Sequence, residues 1–92
     1  MPRVAALLYV VGDNETLLKY GIDKEGRRIA ELLNIGLDPL EEITLRGTWT
    51  QDAAPEILRG DGVWSPVPHD RQGDTLVLQQ TVLPARMVVF HL

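Results

Sequence analysis

The clearest pattern of hydrophobic and polar positions is a strict alternation over residues 43–50. Isoleucine, leucine, glycine and tryptophan occupy the odd positions, and three threonines and an arginine occupy the even ones. Alternation with a period of two is typical of a β-strand with one buried face. Other short segments, bounded by Gly, Pro, Asp or Asn residues that favour turns, lie at 16–22, 56–58, 63–67, 75–83 and 85–92. The pattern therefore predicts a chain built mainly of short β-strands.

Residues 4–11 form the longest apolar run, and both of its alternating sets of positions are hydrophobic. A strand of this kind is expected to be covered on both faces. A 92-residue chain has little protein with which to cover two faces, so we expect a second subunit to supply one cover. Residues 88–92 are also apolar and are expected to dock in a sheet or against a neighbour. The predicted interface residues are Leu7, Tyr9, Val11, Val88, Phe90 and Leu92.

Residues 24–34 fit two structures. As a hairpin, the segment would turn back through Asp23–Gly26, with the glycine in the left-handed position. As a helix, it has Asp23 as a cap, a series of helix-forming residues and a glycine stop at Gly36. We favour the helix because Ile29 is the only β-branched residue in 27–33, and β-branched residues favour strands. A second, shorter helical turn is predicted at 38–41.

The predicted fold class is α+β and mainly β. It is a small antiparallel sandwich or barrel of six to eight short strands with one helix at 24–34, folded as a single domain over 1–92. Leu, Val, Ile and Phe make up 29 of the 92 residues, well above the roughly 20% below which charged chains tend to stay disordered. The sequence has no cysteine, which excludes a disulfide framework and a thiol nucleophile. Its stability must therefore come from packing.

The charge of the chain limits the classes of partner that it is expected to bind. Nine Lys or Arg residues against thirteen Asp or Glu residues give a formal net charge of −4. The arginines are scattered, so the chain lacks the basic stripe typical of nucleic-acid binding. The apolar run at 4–11 is shorter than the roughly 17 to 25 residues of a membrane-spanning helix. We expect no nucleic-acid partner, no membrane association, and a cytoplasmic protein, or a virion protein if a phage encodes it.

Candidate chemistry is sparse. His69 with Asp70, and with Asp61 and Asp74 nearby, has the residue types of a general-base site, but 66–73 has the composition of a surface turn. His91 is too distant in sequence to complete a metal motif with His69. The glycines form no phosphate-binding pattern, and Ser65 lacks the flanking glycines of a nucleophile elbow. We therefore predict no catalytic residue, no metal site and no cofactor.

Three functions are compatible with these observations. The first is a non-enzymatic structural or interaction subunit of a homo-oligomeric or larger assembly, such as a capsid or tail component, whose partner is itself or that assembly. The second is a cytosolic module that binds a small molecule, glycan or peptide, with Trp49 or Trp64 lining the site. The third is a small enzyme that uses His69 with nearby aspartates.

Overall fold

The computed structural model describes residues 7–12 and 15–92, which form two antiparallel sheets packed face to face. In chain order the strands are β1 (Tyr9–Val10), β2 (Thr16–Ile22), β3 (Arg28–Asn34), β4 (Ile43–Arg46), β5 (Glu56–Leu58), β6 (Trp64–Pro66), β7 (His69–Gln72), β8 (Thr75–Leu78) and β9 (Met87–His91). The four-stranded sheet has the order β1-β4-β8-β7, and the five-stranded sheet has the order β2-β3-β9-β5-β6. The predicted mainly β antiparallel sandwich is therefore confirmed, and the described residues contain nine strands where six to eight were predicted.

The core lies between the two sheets and is made by alternate residues of their central strands. Leu45 of β4 is opposite Leu76 of β8 in one sheet, and Ala30 of β3 is opposite Phe90 of β9 in the other. All four side chains are buried. The apolar positions that alternate along 43–50, 75–83 and 85–92 are therefore the ones that form the core.

The helix predicted at 24–34 is wrong. Residues 23–27 form a turn in which the Asp23 amide donates to the Arg27 carbonyl at 2.9 Å, and Arg28–Asn34 is strand β3. This strand pairs with β2 on one side and β9 on the other. Its position between two strands overrides a helical propensity that amounts to only tenths of a kcal/mol per residue. The hairpin considered as the alternative is the observed structure.

Two other predictions need correction. The strand predicted at 43–50 ends at Arg46, because Gly47 adopts φ 134° and the chain then forms a 3₁₀ turn at Thr48–Thr50. The helical turn predicted at 38–41 is also wrong. Leu40 there forms an isolated antiparallel bridge with Val82.

The turn between β5 and β6 lies where the sequence predicts it. Residues 59–63 join β5 to β6, and Gly62 has the left-handed φ of 85° that glycine allows. Residues 69–74, interpreted as part of a surface loop, instead form β7 and its turn into β8.

Residues 4–6 of the predicted first strand lie outside the described residues. Within the part of the chain that the structure describes, no helix is long and apolar enough to cross a membrane.

Candidate interaction surface

The outer faces of the two sheets differ in character. On the four-stranded sheet, the residues that point away from the core are mostly polar, as surface alternation predicts. They are Thr44, Arg46, Asp70, Gln72 and Thr75, with Tyr9 and Val77 as the exceptions. Arg46 Nη2 and Asp74 Oδ1 lie 3.4 Å apart beside this face. This side of the sandwich has the composition of a solvated surface.

The outer face of the five-stranded sheet is apolar over three adjacent strands. Leu17 of β2 lies opposite Leu33 of β3, and Leu33 lies opposite Met87 of β9. Leu17 is 56% exposed and Met87 is 57% exposed. We call this surface the apolar face, and its residues are Leu17, Lys19, Ile29, Glu31, Leu33, Met87 and Val89.

Two charged residues lie within the apolar face. Lys19 of β2 is directly opposite Glu31 of β3. Next along β2 comes Gly21, which has no side chain, and a depression of about 240 Å³ is present there. Asp23, Ile29 and Glu31 help to line this depression. The apolar face is therefore close to neutral overall, and the depression in it is lined by two carboxylates.

One end of the same sheet carries an aromatic and charged cluster. The Trp64 and His91 rings are edge to face with centroids 4.6 Å apart. His91 Nε2 lies 2.7 Å from Glu56 Oε1, and the Arg27 guanidinium lies 5.4 Å from the centroid of Trp64. The indole predicted to line a binding site is thus already in contact with two side chains of its own chain.

Asp23 holds Arg27 in this position. Arg27 Nε donates to Asp23 Oδ2 at 2.8 Å, and the other carboxylate oxygen accepts from the Arg27 and Glu25 amides. Partial burial raises the pKa of Asp23, but these hydrogen bonds and the charge of Arg27 outweigh it, so the pKa is lowered overall. The carboxylate therefore stabilises the β2–β3 turn in its charged form.

Trp49 is the second tryptophan predicted to line a binding site. It is 7% exposed and belongs to the hydrophobic core. Tyr20 contacts its ring edge to face at a centroid distance of 5.2 Å, and the Arg28 guanidinium lies 5.5 Å from its centroid. Trp49 therefore closes one end of the sandwich.

The six predicted interface residues fall into two groups. Leu7, Tyr9 and Val11 are exposed on and beside β1, which is an edge strand. Val88 and Leu92 are half-buried and pack against the core, whereas Phe90 is 1% exposed. Phe90 therefore belongs to the core rather than to an exposed interface.

Sequence reasoning missed the side of β9 that faces outward. Met87 and Val89 are apolar and lie on the opposite face of the strand from Phe90. Both alternating sets of 85–92 are largely hydrophobic, so alternation indicates two faces without telling which one is buried. The available signal was the excess of apolar residues on both sides of a single strand.

The structure does not bring the candidate acid–base residues together. His69 Nδ1 lies 2.8 Å from the Val67 carbonyl oxygen, while Asp70 points to the other face of β7. Asp74 pairs with Arg46, and Asp61 accepts the amide hydrogen of Val63 in the β5–β6 turn. Across residues 7–12 and 15–92, no three His, Asp or Glu side chains are grouped to hold a metal ion.

Comparison of the chain with protein-family models, curated proteins and solved structures gives no match.

Proposed function

We propose that this protein is a non-enzymatic interaction subunit of a homo-oligomeric assembly, and that another copy of the chain docks on its apolar face. One observation carries the proposal. The row Leu17–Leu33–Met87 points outward from the five-stranded sheet, while the other sheet presents a polar face. Contiguous exposed apolar side chains of this kind mark interaction surfaces.

The charge distribution favours a second copy as the occupant. The whole chain carries a formal net charge of −4, so the electrostatic repulsion between two copies is smallest when they meet through a neutral surface. The apolar face contains one lysine and one glutamate, Lys19 and Glu31, which are adjacent. Two such faces can pack together without accumulating like charges, and a two-fold contact uses the same surface on both subunits.

The proposed partner is protein: the chain itself, or a larger assembly that contains it. Such a subunit would act in the cytoplasm, or in a virion if a phage encodes it. The binding-module interpretation has less support, because Trp49 is buried in the core and Trp64 contacts Arg27 and His91. The enzyme interpretation has less support because His69 is not aligned with a carboxylate.

Sedimentation velocity over a range of micromolar concentrations tests the proposal. We expect the wild-type chain to sediment as an oligomer and the Met87→Lys variant to form a smaller species. The matched control is Val63→Lys, because Val63 is 55% exposed and lies outside the apolar face. The control should keep the wild-type distribution. A monomeric wild-type chain, or identical distributions for the two variants, would overturn the proposal.

A further inference from the structure

Strand β2 is the one long, unprotected sheet edge among the described strands. Four strands end the two sheets: β1, β2, β6 and β7. β1 has two residues, β6 has three and includes Pro66, and the four residues of β7 are all polar or charged. Short length, proline and charge are the usual means by which an edge resists pairing. β2 has seven residues, most of them apolar or glycine.

The backbone of β2 has hydrogen-bonding groups directed away from its own sheet. The Ile35 amide donates to the Glu15 carbonyl at 2.8 Å, and the Asp23 amide donates to the Arg27 carbonyl at 2.9 Å. These bonds at the two ends fix which residues of β2 bond to β3, because bonded pairs alternate along an antiparallel ladder. The residues whose amides and carbonyls face the open edge then include Leu18, Tyr20 and Ile22.

Side-chain exposure is greatest towards the C-terminal end of β2, beyond the part of the strand that lies beside β1. Tyr20 is 42% exposed and Ile22 is 66% exposed. The stretch Leu18–Ile22 is centred on Tyr20, so an antiparallel copy related by a two-fold axis at Tyr20 would pair along its whole length. Leu18 would then lie opposite the partner's Ile22. This register also places Lys19 opposite the partner's Gly21.

In this register, the Lys19 side chain of one copy meets both a depression and a carboxylate on the other copy. The depression beside Gly21 lies on the side of the sheet to which Lys19 points. Its lining includes Glu31, the chain's own Lys19, and Asp23, whose carboxylate binds Arg27. The Glu31 carboxylate favours an incoming ammonium group. A shift of the register by one residue on each strand would place Lys19 against the partner's Lys19, and like charges directly opposite each other are unfavourable.

We propose that two copies of this chain pair antiparallel through β2 about a two-fold axis at Tyr20, and that Lys19 of each copy enters the depression beside the other's Gly21. The two five-stranded sheets become one continuous ten-stranded sheet. This contact adds to docking on the apolar face, and the two contacts share Lys19, Ile29 and Glu31. A chain with both contacts forms species larger than a dimer.

Gly21→Val tests the pairing without disturbing the monomer. A Cβ added at Gly21 meets no atom within 4 Å, and its φ lies outside the left-handed region, so the single chain accommodates the side chain. Valine also favours a strand. We expect the variant to be at least as resistant to urea as the wild type, while its β2 contact weakens at least about tenfold because the depression is filled. Wild-type association in this variant would overturn the inference.

Lys19→Glu tests the charge match. It brings a carboxylate towards the acidic wall of the depression, so we expect a similar loss of association. The matched control is Arg59→Glu, which makes the same charge change on the exposed β5–β6 turn at the other edge of the sheet. The control should associate as the wild type does. Equal effects of the two variants would show a response to net charge alone and would overturn the inference.

Cross-linking tests the register. The chain has no cysteine, so Tyr20→Cys introduces a single thiol at the proposed axis. A bonded antiparallel pair has a Cα separation of about 5.5 Å, within the range of a disulfide. The control is Ile22→Cys, whose thiols would lie about 14 Å apart along the strands. Because Ile22 is the more exposed residue, random collisions would favour the control. Faster cross-linking of Tyr20→Cys supports the register, and faster cross-linking of Ile22→Cys overturns it.

The two contacts are distinguished by combining variants. Met87→Lys should remove docking on the apolar face and leave a β2-paired dimer, whereas Gly21→Val should leave a dimer joined through the apolar face. The double variant should be monomeric. If Met87→Lys alone produces monomers, the β2 inference is wrong and the proposed function stands. If Gly21→Val alone produces monomers, the apolar-face proposal is wrong and the β2 inference stands.

Discussion

Arg27 and Arg28 are consecutive in the chain, yet their guanidinium groups lie over tryptophan rings on opposite sides of the five-stranded sheet. Arg27 lies over Trp64 on the outer side, and Arg28 lies over Trp49 on the core side. Successive residues of an extended chain point to opposite faces, which accounts for the divergence. The start of β3 is therefore held by one arginine–tryptophan contact on each face of the sheet.

Arg28→Met should lower the stability of the protein more than Arg27→Met does. Trp49 is buried in the core, and a cation–π contact is worth about 0.5–1 kcal/mol when exposed and about 2 kcal/mol when desolvated. We expect a loss of about 1–2 kcal/mol for Arg28→Met. Arg27 forms a half-buried pair with Asp23 and an exposed pair with Glu25, and ion pairs that water reaches contribute about 1 kcal/mol or less. Urea unfolding of the two variants measures the difference, and a larger loss for Arg27→Met would contradict it.

The strand content could be predicted because alternation survives wherever one face of a strand is buried. β2 has the predicted bounds, and the β5–β6 hairpin turns at the predicted glycines. β3 could not be recognised in this way. Its residues are mostly good helix formers, and what makes them a strand is pairing with β9, which lies more than 50 residues later in the sequence. A local pattern carries no information about such a partner.

The apolar face was predictable only in part. The sequence indicated that the chain has more apolar surface than it can cover, and it assigned the excess on β9 to Val88, Phe90 and Leu92. The structure turns that set inward because Phe90 completes the core against Ala30. Met87 and Val89 then take the outward positions. Which of two apolar sides faces the core depends on the volume that the other sheet leaves open, and alternation does not encode it.

Gly47→Ala should be severely destabilising. Gly47 has a φ of 134°, and an added Cβ would overlap the backbone carbonyl of Leu7. Strained backbone of this kind costs about 1–3 kcal/mol for a non-glycine residue, and the overlap adds to that cost. We expect a loss of at least about 3 kcal/mol in thermal or urea unfolding. Gly60→Ala is the control, because a Cβ there meets no atom within 4 Å, and an equal loss in both variants would contradict the prediction.

Asn34 is a buried polar residue that links the β3–β4 loop to the β8–β9 loop, and two substitutions there test its hydrogen bonds. Its Nδ2 donates to the carbonyl oxygens of Asp38 and Val82 at 2.9 and 3.0 Å, and its Oδ1 accepts from the Gly36 amide at 2.9 Å. Asn34→Ala should cost about 2–4 kcal/mol, because it leaves buried groups unpaired. The side chain is 1% exposed, so water has little access to replace these bonds.

Asn34→Asp keeps the size of the side chain and places a carboxylate oxygen against those two carbonyls. We expect it to be at least as destabilising as Asn34→Ala at pH 7. Its stability relative to Asn34→Ala should rise on acidification, because the protonated carboxyl can donate one hydrogen bond. Urea unfolding at pH 7 and at a mildly acidic pH measures this. Equal stability of Asn34→Asp and the wild type at pH 7 would contradict the assigned orientation of the amide.

The ionisation of Asp23 predicts how the stability of the folded protein changes at acidic pH. Its pKa is lowered in the folded state by hydrogen bonds from Arg27 and Glu25 and by the charge of Arg27, which outweigh the effect of partial burial. A carboxyl whose folded pKa is below its unfolded value of about 3.9 contributes stability that is fully present at higher pH. That contribution is lost as the pH falls through the folded pKa.

Asp23→Asn should therefore be less stable than the wild type at pH 6, and the difference should shrink as the pH falls below about 4. The asparagine oxygen still accepts from the Arg27 and Glu25 amides, whereas its amide nitrogen cannot accept from Arg27 Nε. The comparison therefore reports on the charge together with that one hydrogen bond. Chemical unfolding of both proteins from pH 6 down to the acid transition measures the difference directly. A constant difference across this range would show that Asp23 acts through turn geometry rather than through its ionised form.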